Sequence, residues 1–254
     1  MQANIALEIA LIDLVIANKV LARVGAVDAY GHVSVRHPND SARFLLSRSR
    51  SPELVERDDI MAFNLDGSVH GSDNRPPYLE RFIHAAVYEA RPDVHAVVHG
   101  HPRALLPFTV ANVAMRPVFL TADEFGADVP MWDIRDRFGD TNLLIVDMDQ
   151  GRDLACALGQ ERVVLLRGHG FVGTGRSAIQ LIRMCKALLD NAMLLLEALR
   201  FPPVKEISPG EIAARRKSMS DDEAPSLMRG FEYEAIAAGC RALLEERAQL
   251  KARA

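Results

Sequence analysis

The sequence has little cysteine, no excess of basic charge and no long apolar run, and each shortage removes a class of protein. Its three cysteines, Cys156, Cys185 and Cys240, lie far apart with no closely spaced pair. That pattern argues against a disulfide framework and for a reduced, cytoplasmic protein. The formal charge is -4 over 254 residues, so the footprint that nucleic acid requires is absent. No apolar stretch reaches the roughly 18 to 20 residues of a membrane-crossing helix. The N-terminal apolar residues are broken by Glu8, Asp13 and Asn18, with no basic segment before them. A secretory signal is therefore not expected. Neither nucleic acid nor membrane is an expected partner.

What is present suits a folded domain. Nearly half of the residues are apolar, and the length allows one large domain or two small ones. Residues 3 to 25 carry Ile5, Ile9, Ile12, Val15, Ile16 and Val20 at helical spacing. His32 to Arg36 and Phe44 to Ser47 alternate as strands do, and residues 60 to 66 add a strand and hairpin closed at Gly67. Pro76 and Pro77 precede a helix from Tyr78 to Ala90, which Pro92 stops. Val94 to His99 reads as a strand, 103 to 112 as a helix and 115 to 121 as extended chain. A helix over 149 to 159, strands over 163 to 166 and up to Gly175, and a long helix over 177 to 199 follow. This alternation predicts a layered α/β domain over residues 1–203. The polar stretch 204–222 reads as a link to a helical segment near 224 to 250. Residues 204–254 are thus a C-terminal helical extension, packed on the same or a neighbouring subunit.

Chemistry concentrates in a few residues. His99-Gly100-His101 closes a strand pattern, and residues two apart in extended chain point to one side. Two imidazoles can so converge on one ion. Arg167-Gly168-His169-Gly170 brings a third histidine to another strand end, with glycines that allow a tight turn. Three histidines with coordination positions left over describe a catalytic metal site. The alternative from the residues alone is structural histidines, the reading given to His37, His70 and His95. Glu80 opens the helix before the His99 strand, where a carboxylate can simply favour a helix start. His84, one turn on, is placed to hydrogen-bond to it.

Read together, Gly31-His32-Val33-Ser34-Val35-Arg36, Glu80 with His84, Arg91-Pro92-Asp93, His99-Gly100-His101 and Gly168-His169-Gly170 resemble the class II aldolase and adducin family. The resemblance spans about residues 5 to 200 and is most specific from Glu80 to His101. It implies a three-layer α/β/α sandwich with a central mixed sheet. It implies one divalent metal ion per subunit (zinc, manganese, iron or cobalt) on His99, His101 and His169. Glu80 then matches the family glutamate, a ligand of the empty site and an acid/base once substrate binds. A homotetramer with active sites at subunit interfaces is implied as well.

Departures from the family pattern bear on substrate. Sugar-phosphate aldolases usually carry Gly-Asn where this chain has Gly31-His32, and small Ser-Gly and Ser-Ser turns for phosphate. Here the stretches read Ser47-Arg48-Ser49-Arg50-Ser51-Pro52 and Ser72-Asp73-Asn74-Arg75-Pro76-Pro77. They look more like the decarboxylase branch, which includes the enzyme acting on 3-hydroxy-2-methylpyridine-4,5-dicarboxylate and dihydroxyphthalate decarboxylases. The guanidinium fork pairs with carboxylates, so Arg48, Arg50 and Arg75 are expected to bind substrate, and Tyr233 to close the site. The expected function is a lyase of aromatic compound catabolism. It would decarboxylate a hydroxylated aromatic or heteroaromatic (di)carboxylate through a metal-stabilised carbanion or enolate. Glu80 is the expected proton donor and His32 a second candidate. A class II retro-aldolase and a non-catalytic, adducin-like binding protein are the alternatives.

Overall fold

Apolar residues on both faces of short strands, between amphipathic helices, dictate a buried sheet with helices on each side. The computed structural model describes residues 2–219 and 224–253. In chain order the elements are α1 (Gln2–Arg23), β1 (His32–Arg36), β2 (Arg43–Ser47), β3 (Ile60–Asn64), α2 (Arg81–Ala90), β4 (Ala96–Gly100), α3 (Leu106–Val110), β5 (Met131–Trp132), α4 (Arg135–Phe138), α5 (Met148–Leu158), β6 (Val163–Leu166), β7 (Gly170–Gly175), α6 (Ala178–Ala198), α7 (Pro209–Ser218), α8 (Pro225–Ala237) and α9 (Arg241–Lys251). The strands form one sheet in the order β3-β2-β1-β4-β7-β6-β5. Its neighbours pair antiparallel except β5 and β6, which are parallel.

Strand alternation separates two cores. Val33, Val35, Ala96 and Val98 meet α1 and α6 on one face, with Ile12, Ile16, Leu181 and Leu188. Phe44, Leu46, Val97 and Val172 meet α2 and α5 on the other, with Ile83, Val87 and Leu154. The expected three-layer α/β/α sandwich with a mixed sheet is thus present. No helix among the described residues is long and apolar enough to cross a membrane.

Several boundaries differ from the sequence reading. The helix expected from Tyr78 starts at Arg81, and the one expected over 103 to 112 shortens to α3. The stretch read as extended over 115 to 121 joins no sheet and runs into a 3-10 turn at Leu120–Glu124. The polar link contains α7, started by the reciprocal Ser208–Glu211 capping pair. Residues 220–222 of that link lie outside the described residues. Only Ile212 of α7 is buried, so no apolar stripe marked it. Arg215 holds it to Asp123 at 2.7 Å. The C-terminal segment is two helices, broken between Ala237 and Arg241. Phe231 and Ala235 of α8 join the α1/α6 core, Arg23 meets Glu234 at 2.7 Å, and Arg247 meets Asp13.

Candidate metal centre

Strand register builds the first half of the site. His99 lies opposite His32 of β1 and Val172 of β7, and His101 follows the end of β4. The Nδ1 of His99 is 2.9 Å from the Phe171 carbonyl, and that of His101 is 3.1 Å from Oδ1 of Asp28. Both partners only accept, so each Nδ1 carries the proton and each Nε2 a bare lone pair. The two Nε2 atoms stand 3.1 Å apart.

The turn from β6 to β7 delivers His169. Its ring stacks on His101 and meets His99 edge-on, with centroids 5.1 and 4.8 Å away. Glycine makes this approach possible. A Cβ on Gly170 would stand 2.2 Å from the Gly100 carbonyl, and one on Gly100 would stand 2.3 Å from the Ala26 carbonyl. Burial and then the neighbouring His99 push His169 down to about 4. Its imidazole is neutral, and so able to bind a metal, at neutral pH.

Glu80 completes the cluster. It is the residue just before α2, yet its side chain does not cap the helix, which sets aside the plain helix-start role. Its Oε1 accepts the Ile145 amide at 3.0 Å. Its Oε2 lies 3.6 Å from His99 Nε2 and 3.7 Å from His169 Nε2. Burial alone would raise this carboxyl. Positive charge on the side of His99 and His169, together with the Ile145 amide, outweighs it and holds the group at about 2. A cation on the neutral imidazoles supplies that charge, and Glu80 is then ionised. One ligand atom from each of Glu80, His99, His101 and His169 falls within 4.8 Å of all the others. Two lone pairs in contact beside a carboxylate repel one another unless a cation joins them. The donor set therefore fits a divalent ion that takes nitrogen and oxygen, with positions left for substrate.

His32 borders the cluster, its ring centroid 5.1 Å from that of His99 and 4.6 Å from that of Tyr78. His84 does not bond to Glu80 as the helical spacing suggested. Its Nε2 meets His32 Nδ1 at 2.6 Å and its Nδ1 meets Ser34 Oγ at 2.6 Å. Burial, then like charge, lowers both, with His84 at about 3.

The arginines have their own partners. Arg48 and Arg50 share Asp59 at 2.7 and 3.3 Å. Their loop is tied to Tyr78, whose hydroxyl donates to the Arg50 carbonyl. The Arg75 guanidinium meets both oxygens of Asp73 and donates to the Asp58 and Ile60 carbonyls. Arg75 thus braces the loop that carries Asp59. Tyr233 is exposed on α8, beside a groove with Ile182, Arg183 and Lys186.

Sequence reasoning missed Asp28, Tyr78 and the loop before α5. Asp28 accepts from His101 and from the amides of Tyr30 and Gly31, a carboxylate that sets one ligand's tautomer. The loop at 141–146 holds Leu143 in the left-handed region, at φ 67°. Such strained positions concentrate where a chain is held for function, and this loop presents the Ile145 amide to Glu80. No sequence pattern marks Asp28 or Ile145.

The chain is similar to several known proteins. A decarboxylase from Talaromyces stipitatus, tropJ, is 35% identical over 69% of this chain and 71% of its own. A 3,4-dihydroxyphthalate decarboxylase from Arthrobacter keyseri is 30% identical over 66% and 70%. The fold matches an L-fuculose 1-phosphate aldolase from Glaciozyma antarctica with a TM-score of 0.72 and 20% identity, over 96% of this chain and 91% of that one. The family model for the class II aldolase and adducin N-terminal domain matches residues 12–196, and the chain belongs to that family.

Proposed function

We propose that this protein is a metal-dependent carbon–carbon lyase that removes CO2 from a hydroxylated aromatic or heteroaromatic dicarboxylate. The observation that carries the reading is the convergence of His99, His101, His169 and Glu80 into one ligand set, in a chain similar to decarboxylases. Three imidazoles suit zinc, manganese, iron or cobalt. A divalent ion bound there supplies a Lewis acid for charge building on a substrate oxygen.

The chain's own residues do the rest. As CO2 leaves, its bonding pair remains on a ring carbon, which must gain a proton. Glu80 is buried, anchored through Oε1 and exposed to the cluster through Oε2. Ionised at rest, Glu80 or a water it holds relays that proton from solvent to the carbon. His32 borders the same space and serves as a hydrogen-bonding group. Arg48 and Arg50 bring two cations to one carboxylate, Asp59, and their surplus charge holds the retained carboxylate. Small turns suited to phosphate are replaced here by arginine, which supports a flat carboxylate over a sugar phosphate. A tetramer in which Tyr233 closes a neighbouring site completes the reading.

A paired assay on metal-loaded protein tests it. CO2 release from hydroxylated aromatic dicarboxylates is expected, with little aldehyde from fuculose- and ribulose-type phosphates. The reverse pattern makes the protein a retro-aldolase. Neither product, across both panels, supports an adducin-like binding role.

A further inference from the structure

Strand β1 presents His32, Ser34 and Arg36 to one face of the sheet, two residues apart. Over that face lie Glu80, His84 and Tyr88, one helical turn apart. Side chains from the two rows join in a chain of hydrogen bonds. His32 Nδ1 meets His84 Nε2 at 2.6 Å, His84 Nδ1 meets Ser34 Oγ at 2.6 Å, and Ser34 Oγ meets Tyr88 Oη at 2.9 Å. None of the four residues is more than 1% exposed. The chain runs from deep in the α2 layer to the ring that borders the metal ligands.

Each link contains one proton, and a neutral imidazole has only one to give. Ser34 could accept from both neighbours, but its own buried O–H would then lack an acceptor within the chain. With that proton used, the protons along the chain all point the same way. In one direction His32 donates from Nδ1, His84 donates to Ser34, and Ser34 donates to Tyr88. The tyrosine hydroxyl then needs a further acceptor. Its other partner is the Val97 backbone, which lowers the hydroxyl's pKa as a donating amide does and offers no acceptor. This direction therefore leaves a buried O–H unsatisfied, which is costly. In the other direction Tyr88 donates to Ser34, Ser34 to His84 Nδ1, and His84 Nε2–H to His32 Nδ1. Every buried donor is then satisfied, and the proton of His32 is on Nε2.

We propose that His84, with Ser34 and Tyr88 behind it, is a positioning residue that fixes His32 as its Nε2–H tautomer. His32 so offers the substrate a hydrogen-bond donor and not a base. Its target is an oxygen of a substrate at the His99–His101–His169 cluster, where a neutral donor steadies developing negative charge. Division of labour with Glu80 follows: the carboxylate moves the proton, and His32 holds the oxygen. The target, though not the tautomer, rests on the lyase reading.

Nitrogen-15 NMR of the full chain labelled at histidine reads the tautomer without substrate. Signals of His32 are identified by their loss in His32→Gln. Between about pH 6 and 9, outside the titration range of so buried a ring, the proton is expected on Nε2 alone. A proton on Nδ1, or on both nitrogens, overturns the proposal. Tyr88→Phe removes one oxygen and keeps both rings. It is expected to give a mixture of tautomers, with kcat for CO2 release lowered about 10-fold and KM little changed. His84→Gln, whose amide can donate to His32 and accept from Ser34, should keep the Nε2–H form, whereas His84→Leu should lose it. An unchanged His32 spectrum in Tyr88→Phe shows that the chain does not set the tautomer. Aldehyde release in place of CO2 revises the reaction and leaves the NMR result standing.

Discussion

His99 Nε2 and His101 Nε2 stand 3.1 Å apart, while the Phe171 carbonyl and the Asp28 carboxylate take the proton of each Nδ1. The facing lone pairs are the strongest structural argument for a cation, and Glu80 adds negative charge to the same space.

Metal content is the first consequence. Protein purified without added ions should carry one divalent ion per chain, measured by elemental analysis. His99→Ala should lose it and activity together while circular dichroism stays native. An ion at 100 times its Kd stabilises by about 2.7 kcal/mol, so a chelator should lower Tm by roughly 5 to 10 °C for a chain of this size. A His99→Ala variant that keeps a full equivalent of tightly bound ion contradicts the assignment.

Glu80→Gln keeps the shape and removes the charge. Turnover should fall about 100-fold or more if Glu80 moves the proton, with the fold intact by circular dichroism. The amide can still accept from Ile145, so the loop should not open. Near-normal turnover at saturating substrate would assign the proton to another group.

Asp28→Asn tests the residue that no motif revealed. The amide oxygen can still accept from Tyr30, Gly31 and His101, but the carboxylate that makes His101 a stronger donor atom is gone. Metal affinity should weaken by about 10- to 100-fold, read by competition with a chelator of known affinity. Unchanged affinity means that Asp28 only shapes its turn.

Acid stability of the metal-free protein follows from His84. Burial lowers its folded-state pKa to about 3 from 6.5, so the unfolded chain binds the extra proton between those values. Stability rises with pH wherever the unfolded state binds more protons. It is therefore full above about pH 6.5 and lost progressively as pH falls toward 3. Urea midpoints between pH 7 and 4 should decline, and His84→Gln should flatten the decline. An equal slope in both proteins would show that other groups govern it.

Arg48→Lys keeps the charge and loses the planar fork. KM for the aromatic dicarboxylate should rise about 10-fold with kcat less affected, the signature of lost uniform binding. Equal KM values in steady-state assays place the carboxylate contact elsewhere, with Arg50 the next variant to test.

The ligand residues were legible in the chain because their information is local. Two residues apart on a strand means one face, so His99 and His101 could be paired before any fold was known, and Gly168-His169-Gly170 announced a turn. The same held for the apolar periodicities of α1 and α6, whose stripes face the sheet. Helix α7 carried no such stripe. It is stabilised by a capping pair and by Arg215 on Asp123, 92 residues away in sequence, and long-range ion pairs leave no period. Glu80 and His84 showed the same limit. Helical spacing put them on one face, but the sheet beneath decided their partners: Ile145, His99 and His169 for Glu80, and His32 and Ser34 for His84. Residue type and spacing determined which groups could bind a metal. Only the tertiary structure decided which nitrogen of each ring faces inward, because a tautomer is set by the acceptor that the fold brings to the opposite nitrogen.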